Sequence, residues 1–398
     1  MRNLLAVLAL IAAQPAFAQS EISAQISAEG LEAVRTRLAE MAEPSDAERF
    51  ALGGVTFLRA IEVSLQERWR VGLNTRYTEI PVLRLPVPDN PAPDPFEPAF
   101  VRDLFADVAE DMAAARDALA EVPEESDFGL EIALSDLWFD IDMDGVRGER
   151  EGLMEVAGLA LMGARALGRV EMQDVVVRFD AADVPWLVAY THFISGVSEA
   201  VLAYDPTDAV ADVIAVKDGL AALDTELPPS NAMDMEFGFF VDRLAMVWHA
   251  LRSEPDQDHA AAAHAHFLEM IDENRRFWRL VAAETDDDRE WLPNDMQKAA
   301  LGFEVPEGTG AVWQGVLDDA EALLNGEKLI PYWRLDRGAG LNLKRMFLEP
   351  RPVDLVDWIQ GAGALPYAEK GVRVTGDNWF RFEQMFRGDA LLFVVFLN

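Results

Sequence analysis

Pro44-Ser45-Asp46-Ala47-Glu48-Arg49-Phe50-Ala51-Leu52 is the stretch on which the reading of the fold turns. Ser45 followed by Glu48 is a capping box. The serine oxygen takes the N–H of the third helical residue, and the glutamate reaches back to the serine N–H. Behind it Leu52, Val55, Leu58, Ile61, Leu65 and Trp69 follow at spacings of three and four, which puts them on one helical face. Upstream, Ser27 is expected to cap a helix with Leu31, Val34, Leu38 and Met41 on one side. The short connection makes the two helices an antiparallel pair.

Further along, Pro81 to Pro98 holds seven prolines in eighteen residues, which excludes helix and favours extended chain. Val82, Leu83, Leu85, Val87 and Phe96 among them suggest a strap on a packed surface rather than a linker. The spacing then predicts a helix over 99–121 with Phe100, Leu104, Val108, Met112, Ala115 and Leu119 inward. Phe128, Leu130, Ile132 and Leu134 alternate as a short strand does, and 175–179 reads as a second strand able to pair with it. Leu153, Val156, Ala160, Ala164 and Leu167 suit a helix between them. Asp180 is expected to cap an apolar helix through Trp186, Tyr190, Phe193, Val197 and Leu202. Helices are expected over 208–224, 231–252, 259–283 and 311–324. The segment from Leu52-Gly53 to Ala60 is faintly similar to a tetratricopeptide unit, but no copy follows at about 34 residues, so a solenoid is not expected.

The fold class expected is mainly α: a multi-helix globular domain with a few short strands and a loop-rich, Trp-rich C-terminal third. Trp291, Trp313, Trp333, Trp358 and Trp379 place half of the ten tryptophans after Asp286. The expected organisation is a signal peptide over 1–18, a helical domain over 19–285, and a C-terminal region over 286–398 packed on it. Met1-Arg2-Asn3, the apolar run Leu4 to Ala13, and Ala16-Phe17-Ala18 form the pattern of a secretory signal. The run is shorter than the roughly 20 apolar residues a membrane span needs. Export to the periplasm or outside the cell is therefore expected, as a soluble protein without a lipid anchor.

No cysteine occurs, which excludes disulfides and thiolate chemistry. A net charge of −36, with 70 acidic against 34 basic residues, repels phosphate backbones and argues against nucleic acid as a partner.

The most specific chemistry is in Asp140-Ile141-Asp142-Met143-Asp144-Gly145-Val146-Arg147-Gly148-Glu149-Arg150-Glu151. Three aspartates alternate, glycine follows, and glutamate closes a twelve-residue window. This pattern resembles the EF-hand calcium loop. The resemblance implies Asp140, Asp142, Asp144, the Val146 carbonyl and Glu151 as ligands of Ca2+, with Gly145 at the sharp turn. The sequence departs from it at Arg147, where a branched apolar residue is usual, and at Gly148, which offers no side-chain ligand. No second loop of this pattern occurs. The strand-like approach is closer to single calcium loops in secreted modules, and the resemblance covers twelve of 398 residues.

No His-Glu-x-x-His arrangement, Gly-x-Ser-x-Gly elbow or phosphate-binding Gly-Lys-Ser/Thr loop occurs. His259 and His266, seven apart, share a helical face, whereas His264 points elsewhere; a polar helix edge is the default reading. Asp286-Asp287-Asp288 reads as an acidic turn, and Gly361-Ala362-Gly363 as a tight loop. The leading expectation is a calcium-binding protein, the ion structural, with a binding or scaffold role and an unknown ligand or partner. The alternative is a carbohydrate-active hydrolase drawing on Glu349, Asp354, Asp357 and Glu369 beside Tyr332, Trp333, Trp358, Tyr367 and Trp379.

Overall fold

A computed structural model describes residues 20–74, 80–158, 175–223, 232–303, 305–386 and 394. The signal-peptide reading of 1–18 and the continuation of the helix through Ala160, Ala164 and Leu167 lie outside them. The fold is mainly helical, with short strands in two small sheets. Its helices are α1 (Glu21–Ala39), α2 (Asp46–Arg70), α3 (Phe100–Leu119), α4 (153–158), α5 (Asp183–Ala203) and α6 (Thr207–Ala221). There follow α7 (Ala232–Leu251), α8 (Gln257–Val281), α9 (Thr309–Leu324), α10 (Leu343–Leu348), α11 (Leu355–Gln360) and α12 (Asp377–Phe386). Strand β1 (Leu130–Ala133) pairs antiparallel with β2 (Val176–Phe179), Leu130 opposite Phe179. Strand β3 (Ala339–Leu341) pairs with β4 (Ala368–Lys370).

Successive helices pack as neighbours: α1 on α2, α2 on α3, α3 on α5 and α5 on α8, with α9 then bridging α8 and α12. One apolar core runs from Ile26, Val55 and Leu130 through Phe277 to Trp313 and Phe382, so the C-terminal third shares it with the helices. A second cluster joins Val82 and Leu83 of the proline-rich segment to Phe105 of α3 and Ile194 of α5. That segment is a packed strap.

Both halves of the Ser45–Glu48 capping box are formed at the start of α2. The first helix differs from expectation. It starts at Glu21 under a Ser20 cap, not at Ser27, and is interrupted at Gly30, whose φ of 80° lies in the left-handed region. One turn before the break, the Ile26 carbonyl accepts from the Trp138 indole N–H at 2.9 Å. Helix α5 is bounded at Asp183, and the expected Asp180 cap is formed just ahead of it. The Asp180 carboxylate accepts from the Ala182 N–H at 2.9 Å, and the Asp183 carboxylate reaches back to the Asp180 N–H at 3.0 Å.

Candidate functional site

Hydrogen bonding across the chain brings the acidic loop to a fixed place. Phe139 N–H donates to the Glu151 carbonyl at 2.7 Å, and Leu153 N–H donates to the Leu137 carbonyl at 2.9 Å. These bonds close a short antiparallel ribbon with Trp138 opposite Gly152. The loop is thus held at the mouth of a ribbon and leads into α4, while the chain enters it from extended backbone rather than a helix. Ser23 ties the region to α1, donating to Asp136 at 2.5 Å and accepting from Ala133 N–H at 3.0 Å.

Helix α2 supplies the floor. The Asp140 N–H donates to Glu62 at 2.8 Å and the Asp140 carbonyl accepts from the Gln66 amide at 2.6 Å. Glu62 is 2 % exposed and also pairs with Arg59 at 2.9 Å. Burial nevertheless pushes its carboxyl up to about 7, against the lowering effect of the Asp140 N–H and Arg59.

Inside the loop, Met143 and Gly145 adopt left-handed backbone, φ 62° and 74°. These turns let backbone N–H groups meet the aspartates: Gly145 on Asp140 at 3.1 Å, Asp144 on Asp142 at 3.3 Å, Val146 on Asp144 at 2.7 Å. The result is a cluster in which one oxygen each from Asp140, Asp142 and Asp144 lies within 4.8 Å of the others. Among the described residues it is the one group of three or more ligating side chains close enough to share an ion. The Oδ1 of Asp140 is buried and has no hydrogen-bond partner among the described residues.

Glu151 stands apart from that cluster. It is buried, with Oε1 accepting from Ile141 N–H at 2.8 Å and Oε2 from Gly148 N–H at 2.6 Å, so it braces the loop from beneath. Burial raises its carboxyl above the ordinary range. Val146 is 67 % exposed. Arg147 reaches back to the Ser135 carbonyl at 2.8 Å and ties the loop to the turn before it. Its position, unusual for the pattern, therefore has a structural use.

The histidines of α8 do share a face. His266 Nδ1 lies 2.9 Å from His192 Nδ1 on α5, and two turns away His259 Nδ1 lies 2.6 Å from Glu199. Burial lowers the His192 pKa to about 3, with Arg116 and His266 adding to the effect, and lowers His266 in the same direction. His264 points elsewhere and bonds the Leu324 carbonyl at 2.8 Å.

In the C-terminal third, the carboxylates serve local structure. Glu349 pairs with Arg345, Asp354 caps α11 and pairs with Arg252, and Glu369 accepts from Asn342. Trp358 stacks on Tyr367, and the Arg334 guanidinium lies over Trp333. The Asp286–Asp288 turn gathers round cations: Asp286 and Asp288 face Arg178, and Asp288 also bonds Arg289. Gly361 ends α11 in a left-handed turn.

Two features carry no sequence signal. Asp180, Asp183, Glu284 and Glu290 meet at the start of α5, and burial raises all four carboxyls, Glu284 to about 7. Between α2, the strap, β1, the loop ribbon and α5 lies a cavity of about 230 Å³. The chain matches no family model, no curated protein and no solved structure.

Proposed function

We propose that this chain is an exported calcium-binding protein in which the ion is a structural part and the working role is to bind a ligand or partner. The buried, unpartnered Oδ1 of Asp140 carries the reading. A carboxylate oxygen removed from water without a donor is costly. Two further carboxylates close by raise that cost by repulsion. A hard cation relieves both. Asp140, Asp142 and Asp144 would supply oxygens, with the Val146 carbonyl; the Glu151 carboxylate, with about four lone-pair sites, keeps acceptor capacity beyond its backbone N–H bonds. This oxygen-rich, carboxylate-heavy set favours calcium over magnesium, which keeps more of its waters.

The ion would lock the 137–139 and 151–153 ribbon, which α2 already grips through Glu62 and Gln66. Export is supported by the signal-like run at 1–18. Among the described residues no helix is long and apolar enough to cross a membrane.

The test is thermal melting of metal-stripped protein with calcium, with magnesium and with chelator. Calcium at about 100 times its dissociation constant should add roughly 2.7 kcal/mol. Asp142→Ala, which changes an exposed ligand, should lose the calcium response and keep the metal-free stability. Glu151→Ala should lose both. A stripped wild-type protein indifferent to calcium ends the reading.

A further inference from the structure

Native interiors hold few voids larger than a water molecule, and the cavity beside the loop ribbon is far larger than that. At about 230 Å³ it exceeds the roughly 150 Å³ of an apolar cavity known to accept benzene. Its walls are almost wholly apolar, with Phe57, Leu58, Ile132, Phe139, Trp186 and Leu187 representative.

The polar exceptions are informative. The Ser64 hydroxyl is turned back to the Ile61 carbonyl at 2.7 Å and offers its proton to nothing in the cavity. Arg84, on the strap, lines the cavity and donates from Nη2 to the Tyr190 hydroxyl at 3.2 Å. It makes no ion pair among the described residues, in a chain where acidic residues outnumber basic ones 70 to 34. A guanidinium has five N–H donors in a fork that matches a carboxylate, and one donor is engaged here. An apolar chamber with one such cation on its wall is a site for an amphiphile with an anionic end.

We infer that this cavity binds a medium-chain carboxylate, its hydrocarbon body among the apolar side chains and its carboxylate on Arg84 beside Tyr190. At about half as much again as the benzene-accepting cavity, the space suits a chain of octanoate or decanoate length. The inference gives a ligand class to the binding role proposed above. It stands on the cavity, not on the acidic loop. Leu137, Phe139 and Leu153 of the loop ribbon also line the cavity, so the two sites share a wall.

The experiment is calorimetric titration of the full chain with decanoate and with 1-decanol, in calcium and again in chelator. The two conditions separate failure of this site from failure of the calcium reading. Decanoate should bind at one per chain, about tenfold or more tighter than decanol, because a charged hydrogen bond is added. Arg84→Gln should remove that preference and leave decanol binding. Gly54→Leu fills the space from α2, where only Leu187 stands within 4 Å of the added Cβ. It should abolish binding of both probes while the protein still melts cooperatively. Absence of decanoate binding overturns the inference, as does binding undiminished in Gly54→Leu. Equal decanoate affinity in wild type and Arg84→Gln overturns the headgroup assignment and with it the ligand class.

Discussion

The Gln66 side-chain nitrogen lies 2.6 Å from the Asp140 carbonyl oxygen, across 74 residues of chain. With Glu62 on the Asp140 N–H, it makes one turn of α2 the anchor for both backbone groups of the residue that opens the acidic loop. Gln66→Met keeps the volume and removes the donor. The carbonyl then loses its partner, which costs about 1–3 kcal/mol. Urea unfolding should show that loss; on the proposed calcium reading, calcium should also restore less stability than in wild type, because Asp140 is no longer held in place.

Two adjacent glycines of α2 should respond in opposite directions. Alanine in a helix interior normally gains about 1 kcal/mol over glycine. At Gly53 the new Cβ would lie 2.5 Å from the Leu119 side chain of α3, and overpacking of that kind costs about 1–3 kcal/mol. At Gly54 the nearest atom is 3.9 Å away, an ordinary contact. Gly53→Ala should therefore destabilise and Gly54→Ala stabilise. Adding Leu119→Ala to Gly53→Ala should give less than the sum of the two losses, by about 1 kcal/mol, in a double-mutant cycle.

These contrasts mark what the sequence makes visible. The capping box, the inward face of α3 and the alternation within β1 are local or periodic, and local rules suffice for them. The break at Gly30 is not local. Glycine alone does not announce it, and the Trp138 ring that packs there, its Cζ2 3.2 Å from where a Cβ would stand, comes from 108 residues further along the chain. Glu62 and Gln66 look like the solvent side of α2, yet they are buried because the loop returns to them from residue 140. The three aspartates were legible as a cluster from their spacing, whereas the bracing role of Glu151 depends on where the ribbon closes. Arg84 in a proline-rich strap gives no hint of a cavity wall. Its neighbours there come from other elements of the chain.

His192 should contribute an acid sensitivity of its own. Its pKa is about 3 in the folded chain against 6.5 unfolded, so the unfolded chain takes the proton first as pH falls. The stability tied to neutral His192 is fully present above about pH 6.5 and is lost progressively towards pH 3. His192→Asn keeps a donor and an acceptor for His266 and cannot titrate there. Stability measured in urea from pH 7 to pH 4 should fall less steeply in the variant than in wild type.

Glu284 should act with the opposite sign. Burial, helped by Asp180, Glu290 and Asp286, raises its carboxyl to about 7 from 4.5, while the Gln297 amide at 2.9 Å opposes the shift. The folded chain therefore holds an extra proton between pH 4.5 and 7. Its contribution is fully present below about pH 4.5 and is lost as pH rises through 7. Glu284→Gln copies the protonated form and keeps an oxygen for Gln297. The group is partly open to solvent, which screens the effect, so the gain expected at pH 8 is about 1 kcal/mol. Wild type and variant should converge at pH 4.5 and separate steadily up to pH 8 in urea titrations. Parallel curves across that range would mean that Glu284 ionises in the folded chain as easily as in the unfolded one.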